Sequence, residues 1–330
     1  MVVNKHESFL EEEINDEMND GFLDQSIEEE QDNYQVLEED FSNKEGNYIF
    51  TLGNVSSGKS TLQNLMISRL WSKVDINFEY GHHSNDHRQK AILNKWVDSF
   101  KKGILPPRTK QGLIQEFNIS ISQKRKKPLD LNFIEISGED IKSIVPSLDS
   151  DTKPSVHNYL DRYLSADNNI NKRFIFVSNG EEHQKGNKIK DKLSEDILFD
   201  SFLRYLLSDS QKGLKKLNIL FVIAKWDTVR EDYKNDYKKY VKDNFPQTLS
   251  ILEGERVTAT YLPFSVGKIE EQLVDKDNDE YVNRIVRLDN TYVDRLIQWT
   301  YNTFTGEVLN DFPPIKPTIL YRIAKIFGIR

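Results

Sequence analysis

The chain has 330 residues, 37% hydrophobic and 11% aromatic, enough to bury a sizeable core in one large domain or two ordinary ones. It has no cysteine, which excludes disulfides, thiolate metal sites and cysteine nucleophiles together. It also has no apolar run of about 18 residues, so no transmembrane helix is expected.

The net charge of −8 is uneven: residues 1–45 carry 16 acidic and two basic side chains, a charge of −14, which leaves +6 on the other 285. Residues 1–45 therefore read as an acidic arm, expected to be solvated and disordered. Its Phe9, Leu10, Ile14, Met18, Phe22, Leu23 and Ile27 recur roughly every four residues, so it could also fold against a basic partner surface, this protein's own body included. The N-terminus lacks the basic-then-apolar pattern of a signal peptide, and the cytoplasm is the expected location.

Residues 46–306 alternate strand and helix patterns, which predicts one α/β domain. Its sheet should be mostly parallel, with one antiparallel edge strand and helices on both faces. The first strand, 47–52, runs into Gly53-Asn54-Val55-Ser56-Ser57-Gly58-Lys59-Ser60, followed by Thr61 and a helix over 60–72. This G-x-x-x-x-G-K-S string lies between strand and helix, the context in which it forms a phosphate cradle. Backbone N–H groups and the helix N-terminus attract the anion, Lys59 reaches the β- and γ-phosphates, and the Ser60 hydroxyl ligates Mg²⁺.

A second helix is predicted over 86–102, with Ile92, Leu93, Trp96, Val97 and Phe100 on one face. Gly103 ends it, and Pro106-Pro107 prevents its restart. The alternating stretch 117–122 reads as the exposed edge strand, paired antiparallel with 131–136 across the basic turn Lys124-Arg125-Lys126-Lys127. The second of these strands delivers Glu135-Ile136-Ser137-Gly138-Glu139 at its C-terminal end. A carboxylate there can hold the Mg²⁺ shell, and a glycine three residues on can offer its N–H to a γ-phosphate.

Buried strands follow at 173–177 and 217–224, separated by a polar loop at 179–193 and a helix at 194–208. A charged helix is predicted near 229–244, a last strand at 259–265 and a helix at 290–304 ended by Gly306. Residues 307–330 form a basic amphipathic extension, expected to dock on the body or on a partner, with a membrane surface as the alternative. His82, His83 and His87, without cysteines beside them, are not read as a metal site. The basic turn lacks an aromatic platform, so no nucleic-acid partner is expected.

After strand 217–224 comes Ala224-Lys225-Trp226-Asp227. The Asp227 carboxylate can accept two charge-assisted hydrogen bonds from guanine N1–H and the 2-amino group, a donor pair that adenine lacks. The stem of Lys225 can lie along the base. Ser265-Val266-Gly267-Lys268 closes the last predicted strand.

In this order the motifs resemble those of Ras-like GTPases of the TRAFAC class. Glu135 stands for Asp in D-x-x-G, Ala224 for Asn or Thr in N/T-K-x-D, and Ser265-Val266 matches the S-A-K-type loop whose backbone N–H meets the guanine 6-oxo group. The separation of Lys59 from Thr109 and the P-P-x-T and S-G-E strings most resemble bacterial double-GTPase-type domains of multi-gene conflict systems. The resemblance implies a GTP/GDP switch with a protein effector or other subunits as partners. It implies Mg²⁺ held by Ser60, Thr109 and Glu135, and a catalytic set of Lys59, Thr109, Gly138, Glu139 and Arg108, the last as an arginine finger in cis. Alanine at 224 removes a side-chain hydrogen bond that usually ties this loop to the phosphate loop. Glu139 replaces a water-orienting Gln, and Val55 narrows access for an arginine supplied in trans, so hydrolysis is expected to be slow. A P-loop ATPase and a non-hydrolysing, nucleotide-dependent interaction module are the alternatives.

Overall fold

The computed structural model describes residues 45–80, 87–105, 115–136, 163–164, 169–181, 194–208, 214, 216–229, 231–233, 236–275 and 280–312. Seven strands form one sheet. They are β1 (Glu45–Leu52), β2 (Ile76–Tyr80), β3 (Gln115–Gln123), β4 (Leu129–Glu135), β5 (Asn169–Asn179), β6 (Leu217–Ala224) and β7 (Val257–Pro263), in the order β2-β3-β4-β1-β5-β6-β7. From β4 to β7 all neighbours are parallel, while β3 runs antiparallel to both β4 and β2.

A parallel sheet is covered on both faces, so its strands are apolar on both sides. Ile49, Phe50, Thr51 and Leu52 of β1 are all fully buried. Alternation then sorts the side chains. Ile49, Ile175, Val177, Leu220 and Val222 face one core, and Phe50, Phe174, Phe176 and Phe221 face the other.

The aliphatic face is covered by α1 (Lys59–Trp71), α2 (His87–Lys101) and a helix near the end of the chain, Asn290–Thr305. The aromatic face is covered by α3 (Glu195–Leu207), α4 (Tyr237–Asn244) and α5 (Pro246–Leu252); the terminal helix is α6. Phe50 stacks on Phe174 at 5.4 Å, Phe176 tilts against Phe199 at 5.1 Å, and Phe221 meets Phe245 edge-on at 5.0 Å. Among the described residues, no helix is long and apolar enough to cross a membrane.

Three features differ from the reading of the sequence. The antiparallel strand lies one place in from the edge, because Ile76-Asn77-Phe78-Glu79-Tyr80 forms β2 outside it. The helix expected at 229–244 begins only at Tyr237, where Asp236 caps it by accepting from Lys239 N, and α5 follows with Pro246 at its first turn. Finally, 259–265 is not the last strand. A separate antiparallel hairpin, β8 (Gly267–Asp275) and β9 (Glu280–Leu288), precedes α6. Its charged residues obscure the period of two in the sequence. The acidic arm and the extension beyond Phe312 lie outside the described residues, apart from Glu45 in β1.

Candidate nucleotide-binding site

The loop 53–58 joins the C-terminal end of the central strand β1 to α1. Ser56 and Gly58 adopt left-handed backbones, φ 63° and 97°, which turn the loop back on itself. A Cβ on Gly53 would stand 2.3 Å from the Val177 carbonyl oxygen, so only glycine lets the loop leave β1 this close to β5. No acidic residue occupies the first turn of α1, and the field at its N-terminus is left positive.

Lys59 is buried, and its Nζ donates to the carbonyls of Gly53 at 2.9 Å and Asn54 at 3.0 Å. Burial pushes its ammonium below the usual lysine range, while the Glu135 and Glu195 carboxylates pull the other way.

Beside it, Ser60 Oγ donates to Glu135 Oε1 at 2.7 Å. Glu135 is the last residue of β4, fully buried and in register with Thr51 of β1, whose hydroxyl accepts from Gln63 Nε2 at 2.9 Å. A hydroxyl and a carboxylate side by side next to the phosphate loop are hard oxygen donors of the kind Mg²⁺ takes, so the residues fit that ion. Arg108, Thr109, Gly138 and Glu139 lie outside the described residues.

The loop after β6 lies against the phosphate loop: a Cβ on Gly58 would stand 3.7 Å from that of Ala224. Lys225 is left-handed at φ 54°, and Trp226 is anchored by its backbone N–H on the Phe264 carbonyl and by its ring edge-on against Tyr240. That anchoring leaves Asp227 exposed, with its Oδ1 accepting from Ser265 Oγ at 2.7 Å; Ser265 in turn accepts from Gly267 N at 3.1 Å. Two loops 38 residues apart are thus joined at the carboxylate expected to read the base. Val266 lies buried beside them, and its carbonyl accepts from Asp289 N, closing the base of the hairpin.

Sequence reasoning passed over two groups here. Glu195, buried at the start of α3, accepts from Asn179 N through both oxygens, and Glu181 pairs with Lys225 at 3.0 Å. The signal was available: Asn179-Gly180 is a turn dipeptide directly after a buried strand that neighbours β1.

Strand, phosphate loop and helix at the centre of this sheet define a P-loop nucleotide-binding protein. The Double-GTPase 1 family profile matches residues 50–291, and the chain belongs to that family. Solved structures similar to it include the GTPase-like domain of S. cerevisiae Ski7 bound to GDP and inorganic phosphate (15% identity, TM-score 0.36, 67% of this chain and 43% of that one). A bacterial selenocysteine-specific elongation factor EF-Sec matches at 13% identity and TM-score 0.29, over 67% of this chain and 26% of that one. The signal recognition particle receptor SRb-GTP/SRX complex from Chaetomium thermophilum matches at 11% and 0.33, over 67% and 91%. The chain thus spans less than half the length of the Ski7 and EF-Sec chains. No curated protein matches it.

Proposed function

We propose that this chain is a GTP-binding, slowly hydrolysing switch in a bacterial multi-protein defence or conflict system, with a protein effector or fellow subunits as partners. The observation that carries the reading is the Ser265–Asp227 hydrogen bond beside the phosphate loop, because it aims a carboxylate where a guanine, and not an adenine, would satisfy it.

In this reading the amides of Asn54 to Thr61 and the helix N-terminus hold the phosphates. Lys59 keeps two of its three donors on loop carbonyls and turns the third to the transferring γ-phosphoryl group. Ser60, Glu135 and Thr109 would hold Mg²⁺, which when bound neutralises charge developing on the β- and γ-oxygens. Gly138 offers its N–H to the γ-phosphate, and Glu139 and Arg108 act on the attacking water and the leaving charge. Asp227 reads the guanine edge, the Lys225 stem covers the base, and the Ser265–Val266 backbone meets the 6-oxo group.

Mg²⁺-dependent binding of a fluorescent GTP analogue, competed with GTP, GDP, ATP and ADP, tests this. Guanine preference in the wild type, lost in Asp227→Ala, is the expected result; equal competition by ATP sinks it. A nucleotide-dependent module without turnover is the second reading, favoured by Val55 at the mouth of the loop. Single-turnover release of phosphate separates the two.

A further inference from the structure

The Ala224 methyl group can make no hydrogen bond to the phosphate loop that it faces. The loop after β6 is hydrogen-bonded instead to the turn after β5. Gly180 N donates to the Ala224 carbonyl at 2.9 Å. A Cβ on Gly180 would meet that same oxygen at 2.6 Å and Val229 Cγ2 at 2.8 Å, so the turn lies flat against the guanine-reading loop. Asn179 Oδ1 accepts from Glu181 N at 3.2 Å, which fixes where the Glu181 side chain leaves the turn. From there, Glu181 Oε2 accepts from Lys225 Nζ at 3.0 Å. On its other side the turn is held by Glu195, which accepts from Asn179 N and whose charge acts on Lys59.

We propose that Glu181 is the positioning residue for Lys225. Its carboxylate fixes the direction of the ammonium, so the aliphatic stem is already laid out along the base plane when a guanine nucleotide arrives, and the nucleotide leaves more slowly. The inference rests on the guanine-binding reading above. Pre-organisation is the physical point: a four-carbon stem on a left-handed residue has many rotamers, and fixing its end removes most of that entropy before binding. Both side chains are 38% exposed, so solvent screens the pair and the effect is modest.

The test measures dissociation of a fluorescent GDP from the full chain in Mg²⁺ for wild type, Glu181→Gln, Lys225→Met and the double variant. Glu181→Gln should speed release about three- to fivefold. It should also flatten the salt dependence of release, because the ion pair is the screened element. In the Lys225→Met background it should change nothing further. An equal effect in both backgrounds would mean that Glu181 merely supports the turn, and it would overturn the proposal. So would guanine preference with release from Glu181→Gln unchanged. Loss of guanine preference in the wild type itself would overturn the guanine reading and this role with it.

Discussion

Asp227 and Ser265 illustrate how single side chains set this site. The serine hydroxyl donates to one carboxylate oxygen and fixes the direction of the carboxylate. Ser265→Ala should therefore weaken guanine nucleotide binding by roughly five- to tenfold, the cost of one hydrogen bond to a charged group, while leaving the fold intact. Competition binding and a melting curve check the two halves of that statement.

Lys172 makes a different prediction. It is buried on β5, and burial brings its pKa from 10.5 down to about 8. Between those two values the unfolded chain holds a proton that the folded chain has released, so stability rises with pH through that window. Below pH 8 the cost of burying the charge is fully present, up to about 3 kcal/mol. Lys172→Met should thus stabilise the protein at pH 7, with a gain that shrinks towards pH 10. Denaturant midpoints at the two pH values test it, and a gain that grows with pH would contradict it.

At the scale of elements, the central strands β1, β5 and β6 put their buried aromatic rings beneath α3 to α5 and only aliphatic side chains in the core beneath α1, α2 and α6. Phe199 of α3 touches Phe176, Phe221 and Phe245 at once. Phe199→Ala would leave a ring-sized void with rigid neighbours, and the expected loss is about 3–5 kcal/mol by chemical denaturation.

The β8–β9 hairpin is tied to the body by backbone hydrogen bonds, with Ile285 packed against the core. Its base closes on the loop after β7 through Asp289 N and the Val266 carbonyl, and Ile285 N donates to the Gly103 carbonyl at 2.7 Å just after α2. Ile285→Pro removes that donor and should lower the melting midpoint by several degrees. α1, α2, α3 and the central strands were legible because long apolar runs and 3.6-residue spacing carry strong signals. β2 and the hairpin were not. They are short or charged, and their pairing is decided by partners distant in sequence.

At the scale of the molecule, a nucleotide that binds only the folded chain must stabilise it by mass action. At a GDP concentration roughly 100 times its Kd, with Mg²⁺, the gain should be about 2.7 kcal/mol, visible as a raised melting temperature. Lys59→Ala should abolish the shift, because the buried ammonium is the principal cation of the loop. Chelating the metal should diminish the shift in the wild type, since Ser60 and Glu135 would then face the phosphates without the ion they fit. A shift unaffected by either change would contradict the roles of Lys59, Ser60 and Glu135 in holding the phosphates and the metal.

The sequence by itself determined where a phosphate can sit and which loops carry the residues to read a base. Those properties reside in contiguous strings whose chemistry is local: glycines and a lysine between strand and helix, an aspartate after a buried strand. It also determined the α/β class, because periodicity survives without partners. Tertiary structure alone decided that Ser60 meets Glu135, that Ser265 meets Asp227, and that a turn after β5 reaches Lys225. These contacts join residues between 38 and 75 positions apart. Parallel strand order brings them together at one end of the sheet, and nothing in the spacing along the chain encodes that order.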